Sequence, residues 1–256
     1  MTLPDNDPLA SRHTKPFLAH LEDLRRTILW CLVTVGLGIV VTIPLVPQIV
    51  SILQRPVVAA GMDPAEFLKI IQIAGGFAVA MRVSFWGGLV ISAPIMVMVI
   101  AHFVFPGLTP RERTAVRRSS GFAVALFAAG VVMGYLVTLP MAVKVLLGVN
   151  RWLGKASEFV ILSDYMSFAL KILLAFGLAF ELPVIVLALG SVGLVTSGQL
   201  SEYRRYVIVF LMILAMILTP PDPVTQLLMA VPLALLYEGC IWVLRFRERR
   251  SAAAHD

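Results

Sequence analysis

Long apolar runs alternate with short polar and basic stretches along this chain, and most of the runs are of membrane length. A helix needs about 20 consecutive apolar residues to cross the hydrocarbon core of a bilayer. Six runs are read against that length. They extend from about Thr27 to Val46, Phe77 to Val104, Gly121 to Val143, Tyr165 to Leu189, Tyr206 to Leu218 and Val224 to Leu244. The fifth is shorter than a usual span and predicts local thinning or a shallow cavity. The turn Thr219-Pro220-Pro221-Asp222-Pro223 joins it to the sixth. The longest connections, about Pro47 to Gly76 and Lys144 to Asp164, hold apolar pieces such as Phe67 to Ile73. These predict short helices or caps lying at the membrane interface. No internal repeat and no low-complexity tract is evident.

Composition sharpens this pattern. Hydrophobic residues make up 59% of the 256 residues and charged ones only 14%, against about 25% charged in a soluble domain. The reading is an all-α, polytopic integral membrane protein, with residues 1–256 forming a single membrane domain. The net charge of +6 points to membrane topology rather than to nucleic acid, because Lys and Arg gather in cytoplasmic loops. With the N-terminus inside, fourteen Lys and Arg fall on the inner side and five on the outer. That bias predicts N-in and C-in, with a polar cytoplasmic tail at 1–16 and a basic one at 245–256. The N-terminal stretch lacks the basic start and immediate apolar segment of a cleavable signal. The first apolar run is therefore expected to stay as an anchor in the cell membrane.

Candidate chemistry is sparse. Cys31 and Cys240 lie far apart in apolar runs and read as small buried hydrophobes. His13, His20, His102 and His255 show no metal-ligand spacing, so neither a metal nor a cofactor is expected. Hydrolase and nucleotide-binding motifs are missing, which argues against an enzyme.

One residue stands out. Glu181 is the sole charge in Ile172–Leu189, and Pro183 follows two residues later. A carboxylate at membrane depth costs several kcal/mol and marks a functional hypothesis. Proline removes an N–H and clashes with the carbonyl four residues back, so a helix defect is predicted beside the charge.

Further acids precede and follow the first spans. In Phe17–Ile28, residues Phe17, Leu21, Leu24 and Ile28 form one helical stripe, predicting an amphipathic interfacial helix over about 17–27. Glu22 has Arg25 and Arg26 three and four residues on; Asp23 is less compensated. In the next inner loop, Thr109, Pro110 and Glu112 fit a capping box. Local pairing and capping explain these acids more readily than binding does. Together, Asp23 and Glu112 could also take an arginine-rich ligand through charge-assisted bonds on an otherwise basic face. Elsewhere, Asp222 fits a helix cap and Gln226 could bond a neighbouring helix. Arg82 and Lys171 could snorkel to the outer interface, and Glu238 could pair with Arg245.

These pieces, in order, resemble the TatC family, the large integral subunit of the twin-arginine protein translocase. His20-Leu21-Glu22-Asp23-Leu24-Arg25 resembles its N-terminal His-Leu-x-Glu-Leu-Arg motif. Phe77 with Arg82 and Ser84, then Ser92-Ala93-Pro94, resembles its second-span signature. Phe180-Glu181-Leu182-Pro183 matches Phe-Glu-x-Pro, and Leu218-Thr219-Pro220-Pro221-Asp222 with Gln226, Pro232 and Tyr237-Glu238 matches its C-terminal pattern. The resemblance implies a concave, cupped bundle with two short last spans. It implies a receptor for signal peptides bearing paired arginines, working with TatA- or TatB-type single-span subunits, self-associating, and driven by the proton-motive force. It implies that Asp23, or Glu22 beside it, and Glu112 contact the arginines, with His20, Arg25 and Phe103 nearby. Met216, Thr219, Asp222 and Gln226 would meet partner helices, and Glu181 would line the concave face. Two departures stand out: Asp23 replaces the motif glutamate, and Arg82 replaces a lysine. The rival from another class is a proton-coupled solute transporter relaying protons through Glu181, although such carriers usually show repeats.

Overall fold

The computed structural model describes residues 17–104, 110–152, 154, 159–191, 195–218 and 223–252. Ten α-helices follow one another among them: α1 (Phe17–Thr42), α2 (Val46–Ala59), α3 (Pro64–Phe67), α4 (Gly75–Val104), α5 (Pro110–Met133), α6 (Leu139–Trp152), α7 (Leu162–Ala179), α8 (Leu182–Ser191), α9 (Ser197–Leu218) and α10 (Pro223–Ala252). Among the described residues, five helical stretches are long and apolar enough to cross a membrane. The six-span count is thus not established. The run expected as the short fifth span is the second half of α9, whose first half carries Glu202, Arg204 and Arg205. That half extends the helix without lengthening its apolar part. The last two helices are accordingly 22 and 30 residues long, more than their apolar runs.

Other differences have local causes. The third run lies within a continuous helical path from α5 through a π-helical segment at Gly134–Thr138 into α6. Pro110 opens α5, where its missing N–H leaves no broken bond. The Phe67–Ile73 piece is not a helix. Leu68–Lys69 pairs in parallel with Val160–Ile161, forming a two-residue ribbon that ties the two long connections together. The segment read as an amphipathic helix at 17–27 forms the first turns of α1, which runs on to Thr42.

The interior centres on α7. Met166, Ala169, Ile172 and Phe176 are fully enclosed there, with Leu53, Val57, Val83 and Leu139 packed around them. Lipid tails are as apolar as leucine, so close van der Waals contact, not exclusion from water, holds such helices together. Small residues permit it. A Cβ on Gly130 of α5 would stand 2.5 Å from the Phe176 carbonyl oxygen, and one on Gly177 would stand 2.5 Å from the Phe127 ring. α1 packs along α4 in the same way: a Cβ on Gly38 would meet the Gly88 carbonyl oxygen at 2.6 Å.

The end of the bundle opposite the start of α1 is capped by α2, α3 and the ribbon. Tyr165 Oη donates to the Leu53 carbonyl (2.6 Å) and Tyr135 Oη to that of Ile52 (2.8 Å), fastening α2 to the helices beneath. Arg82 pairs with Asp164, and Lys171 lies over the Trp86 ring at 5.0 Å. Both cations, expected to snorkel, thus have specific partners. At the other end, Ser197 N donates to Glu248 Oε1 (2.8 Å), joining the start of α9 to the end of α10. Glu238 pairs with Arg204 of α9 at 2.7 Å rather than with Arg245. Arg245 lies seven residues further along the same helix, about 10 Å away by helical rise, whereas α9 runs alongside.

Candidate functional site

Two acidic regions occupy very different surroundings. The first is the start of α1. Glu22 and Asp23 are exposed, and Arg25 Nη1 approaches Glu22 Oε2 at 3.8 Å, the local compensation that the spacing predicts. Thr27 Oγ1 donates to the Asp23 carbonyl at 2.8 Å. The end of α4 comes alongside. Leu24, Cys31 and Val35 of α1 and Met96, Ile100 and Phe103 of α4 line one apolar cavity of about 450 Å³. Phe103 and the N-terminal motif, 80 residues apart in sequence, are thereby brought together. Glu112 lies in the first turn of α5, nine residues beyond Phe103, and its side chain falls outside the described residues. So does the side chain of His20.

The second region is the break between α7 and α8. The Glu181 amide donates to the Leu178 carbonyl (3.1 Å), closing α7. Its carbonyl accepts from the Ile185 amide (3.1 Å), opening α8. Glu181 therefore stands at the N-cap position of α8. A capping side chain accepts from the second or third amide of its helix, but the second residue is Pro183, which has none. The Glu-x-Pro spacing removes one of the two donors that would satisfy the carboxyl. Among the described residues neither Glu181 oxygen has a hydrogen-bond partner, although the residue is only 1% exposed. The resemblance implies an acid lining a concave face; here the residue is 1% exposed at the junction of α7 and α8.

A model of the Sec-independent protein translocase protein TatC matches residues 19–232. The chain belongs to the TatC family. It is 34% identical over 228 residues to the TatC of Carboxydothermus hydrogenoformans, covering 89% of this chain and 91% of that one. It is 33% identical over 229 residues to the TatC of Deinococcus radiodurans, covering 87% and 83%. Its fold is similar to the crystal structure of the twin-arginine translocase receptor TatC in DDM, with a TM-score of 0.78 and 30% identity. That match covers 88% of this chain and 99% of that one. This TatC-family chain is a multi-pass membrane protein and a component of the twin-arginine translocase, not an enzyme. Family membership decides against the solute-transporter alternative.

The remaining candidates scatter. Gln226 Nε2 donates to the Met212 carbonyl at 2.8 Å, bonding α10 to α9 as its position in the sixth run suggests. Met216 is 50% exposed on α9. Thr219 and Asp222 lie outside the described residues. Pro183 lies in the first turn of α8. Sequence reasoning missed the cavity between α1 and α4. Its signal was present, since Leu24, Ile28, Cys31 and Val35 recur at helical spacing and so do Met96, Ile100 and Phe103.

Proposed function

We propose that this chain is the signal-peptide receptor of its translocase, in the cytoplasmic (inner) membrane with both termini in the cytoplasm. Asp23 and Glu112 hold the paired arginines of the precursor, with Glu22, His20, Arg25 and Phe103 around them. Single-span TatA- or TatB-type subunits dock near Met216, Thr219, Asp222 and Gln226, and copies of the chain self-associate. Glu181 offers a polar docking point within the bilayer, and the proton-motive force drives passage of folded cargo.

The observation that carries this reading is the convergence of the α1 and α4 ends. Leu24, next to the exposed Asp23, lines one open apolar groove with Phe103, and Glu112 follows Phe103 by nine residues in sequence, which supports the reading. A carboxylate matches the guanidinium fork with two parallel bonds, and exposure leaves it accessible to an incoming ligand. The test is photo-crosslinking from Leu21, which is 43% exposed on the same turns, to a peptide carrying paired arginines. A strong adduct that weakens when the arginines become lysines is expected. Equal adducts with both peptides would overturn the assignment.

A further inference from the structure

We propose that the cavity where the two-residue ribbon meets the starts of α4 and α7 holds the headgroup of a zwitterionic phospholipid with a primary ammonium, drawn from the leaflet at that end of the bundle. The cavity measures about 180 Å³, and Lys69, Ile70, Ile71, Val79, Arg82 and Asp164 are among its lining residues. It shares no residue with either acidic region described above. Depth, charge and a neighbouring apolar wall point to this occupant.

Depth comes from the helices. α4 has 30 residues, about 45 Å at helical rise, the thickness of a bilayer with its headgroups. Arg82 lies about 10 Å in from the start of α4 at Gly75, and Asp164 lies in the first turn of α7. A long cationic side chain at that depth carries its charge out to the headgroups. The charges then match a zwitterion. Arg82 Nη1 pairs with Asp164 Oδ1, which engages only part of the guanidinium and one carboxylate oxygen. Both side chains stay accessible, at 45% and 57%. Lys69 is exposed, lies 5.8 Å from the centre of the Phe159 ring, and has no ion pair among the described residues. Phosphate oxygens can accept from Lys69 and Arg82 while an ammonium donates to Asp164, all through charge-assisted bonds. An anionic headgroup without an amine leaves the acid unmatched, and a quaternary amine has no N–H to donate. The apolar wall favours a lipid over a free anion. Ile70 and Ile71 line the cavity yet are 52% and 58% exposed, and Phe77 in the first turn of α4 is 71% exposed. The volume suits a headgroup alone, with the acyl chains lying outside along this wall. Free phosphate would use the two cations and leave both the wall and Asp164 without a role.

The test uses the full-length chain in nanodiscs of equimolar phosphatidylethanolamine, phosphatidylcholine and phosphatidylglycerol. Native mass spectrometry reads the lipid that stays bound on release. Phosphatidylethanolamine should be retained in preference to the other two, and an excess of inorganic phosphate should not displace it. Lys69→Gln should lower that retention about tenfold, the order of effect of one charge-assisted bond. Its melting temperature should not change, because Lys69 is exposed and has no ion pair among the described residues. Asp164→Asn should move the preference toward phosphatidylglycerol, a change of headgroup that a merely structural role would not produce. If Asp164→Asn does not fold, the headgroup preference of the unaltered chain and the Lys69→Gln comparison decide. Equal retention of the three lipids, or undiminished retention in Lys69→Gln, would overturn the proposal. Displacement of the lipid by phosphate would show a simple anion site and overturn it as well.

Discussion

Glu22 and Asp23 stand exposed on the first turns of α1 with an arginine near Glu22, whereas Glu181 is 1% exposed and has no hydrogen-bond partner among the described residues. The two regions use the same functional group under opposite conditions. At α1 both carboxylates are exposed and Arg25 stands near Glu22, so an incoming arginine meets acids that are accessible from solvent. At Glu181 the helix break denies the carboxyl one capping donor, and the residue is buried. An exposed acid can serve reversible recognition with little effect on the fold. A buried acid with no partner among the described residues costs desolvation energy, which makes it a candidate for a role beyond the fold.

The largest effect expected from this contrast lies at the exposed region. Asp23→Ala with Glu112→Ala should weaken capture of a twin-arginine peptide by about 100-fold or more, since hydrogen bonds to charged groups contribute about 1.5–3 kcal/mol each. Peptide titration by fluorescence anisotropy checks this, and an unchanged affinity would remove both residues from the site. At the buried region the sign reverses. Glu181→Leu should stabilise the chain in detergent by about 1–3 kcal/mol, the desolvation cost of an unsatisfied polar group, while export of folded cargo falls. Thermal unfolding and a transport assay read the two outcomes separately, and a loss of stability would show that the carboxyl has a structural partner after all.

The close packing of α5 on α7 can be probed at its glycines. Gly130→Ala should destabilise the chain by about 1–3 kcal/mol through overpacking, because its Cβ would meet a carbonyl oxygen at 2.5 Å. Gly121→Ala on the same helix meets nothing within 4 Å and should leave the melting temperature unchanged. A smaller effect is expected at Gln226→Leu, which removes the bond to the Met212 carbonyl and about 0.5–1.5 kcal/mol with it. Differential scanning fluorimetry resolves that from no change. The smallest belongs to Glu22→Gln. Its pair with Arg25 is 3.8 Å long and about three-quarters exposed on both sides, so no measurable loss of stability should follow.

Legibility along the chain followed the range of the interactions involved. The helix break at Glu181 was predictable because proline acts on its own helix within four residues. The helical start at Pro110 was predictable for the same reason. The pairing of Glu238 was misread because Arg245 is close in sequence while Arg204, on α9, is close in space. Arg82 and Lys171 looked like interfacial cations until Asp164 and Trp86 were found beside them. The Leu68–Lys69 ribbon depends on a strand about 90 residues later, and local pattern carries no trace of that pairing.

What the sequence determined by itself is the set of apolar helices, the buried acid with its proline, the acidic motif before the first span, and the family those motifs identify. Each rests on periodicity, composition or short-range sterics, which are properties of contiguous residues. Only the tertiary structure decided that the α1 and α4 ends border an open apolar groove, that Glu181 meets no partner among the described residues, and that cation and acid pair across helices. Those outcomes depend on which helix faces which, and in a bilayer, where apolar faces meet lipid as readily as protein, close packing at small residues such as Gly38, Gly130 and Gly177 makes that choice.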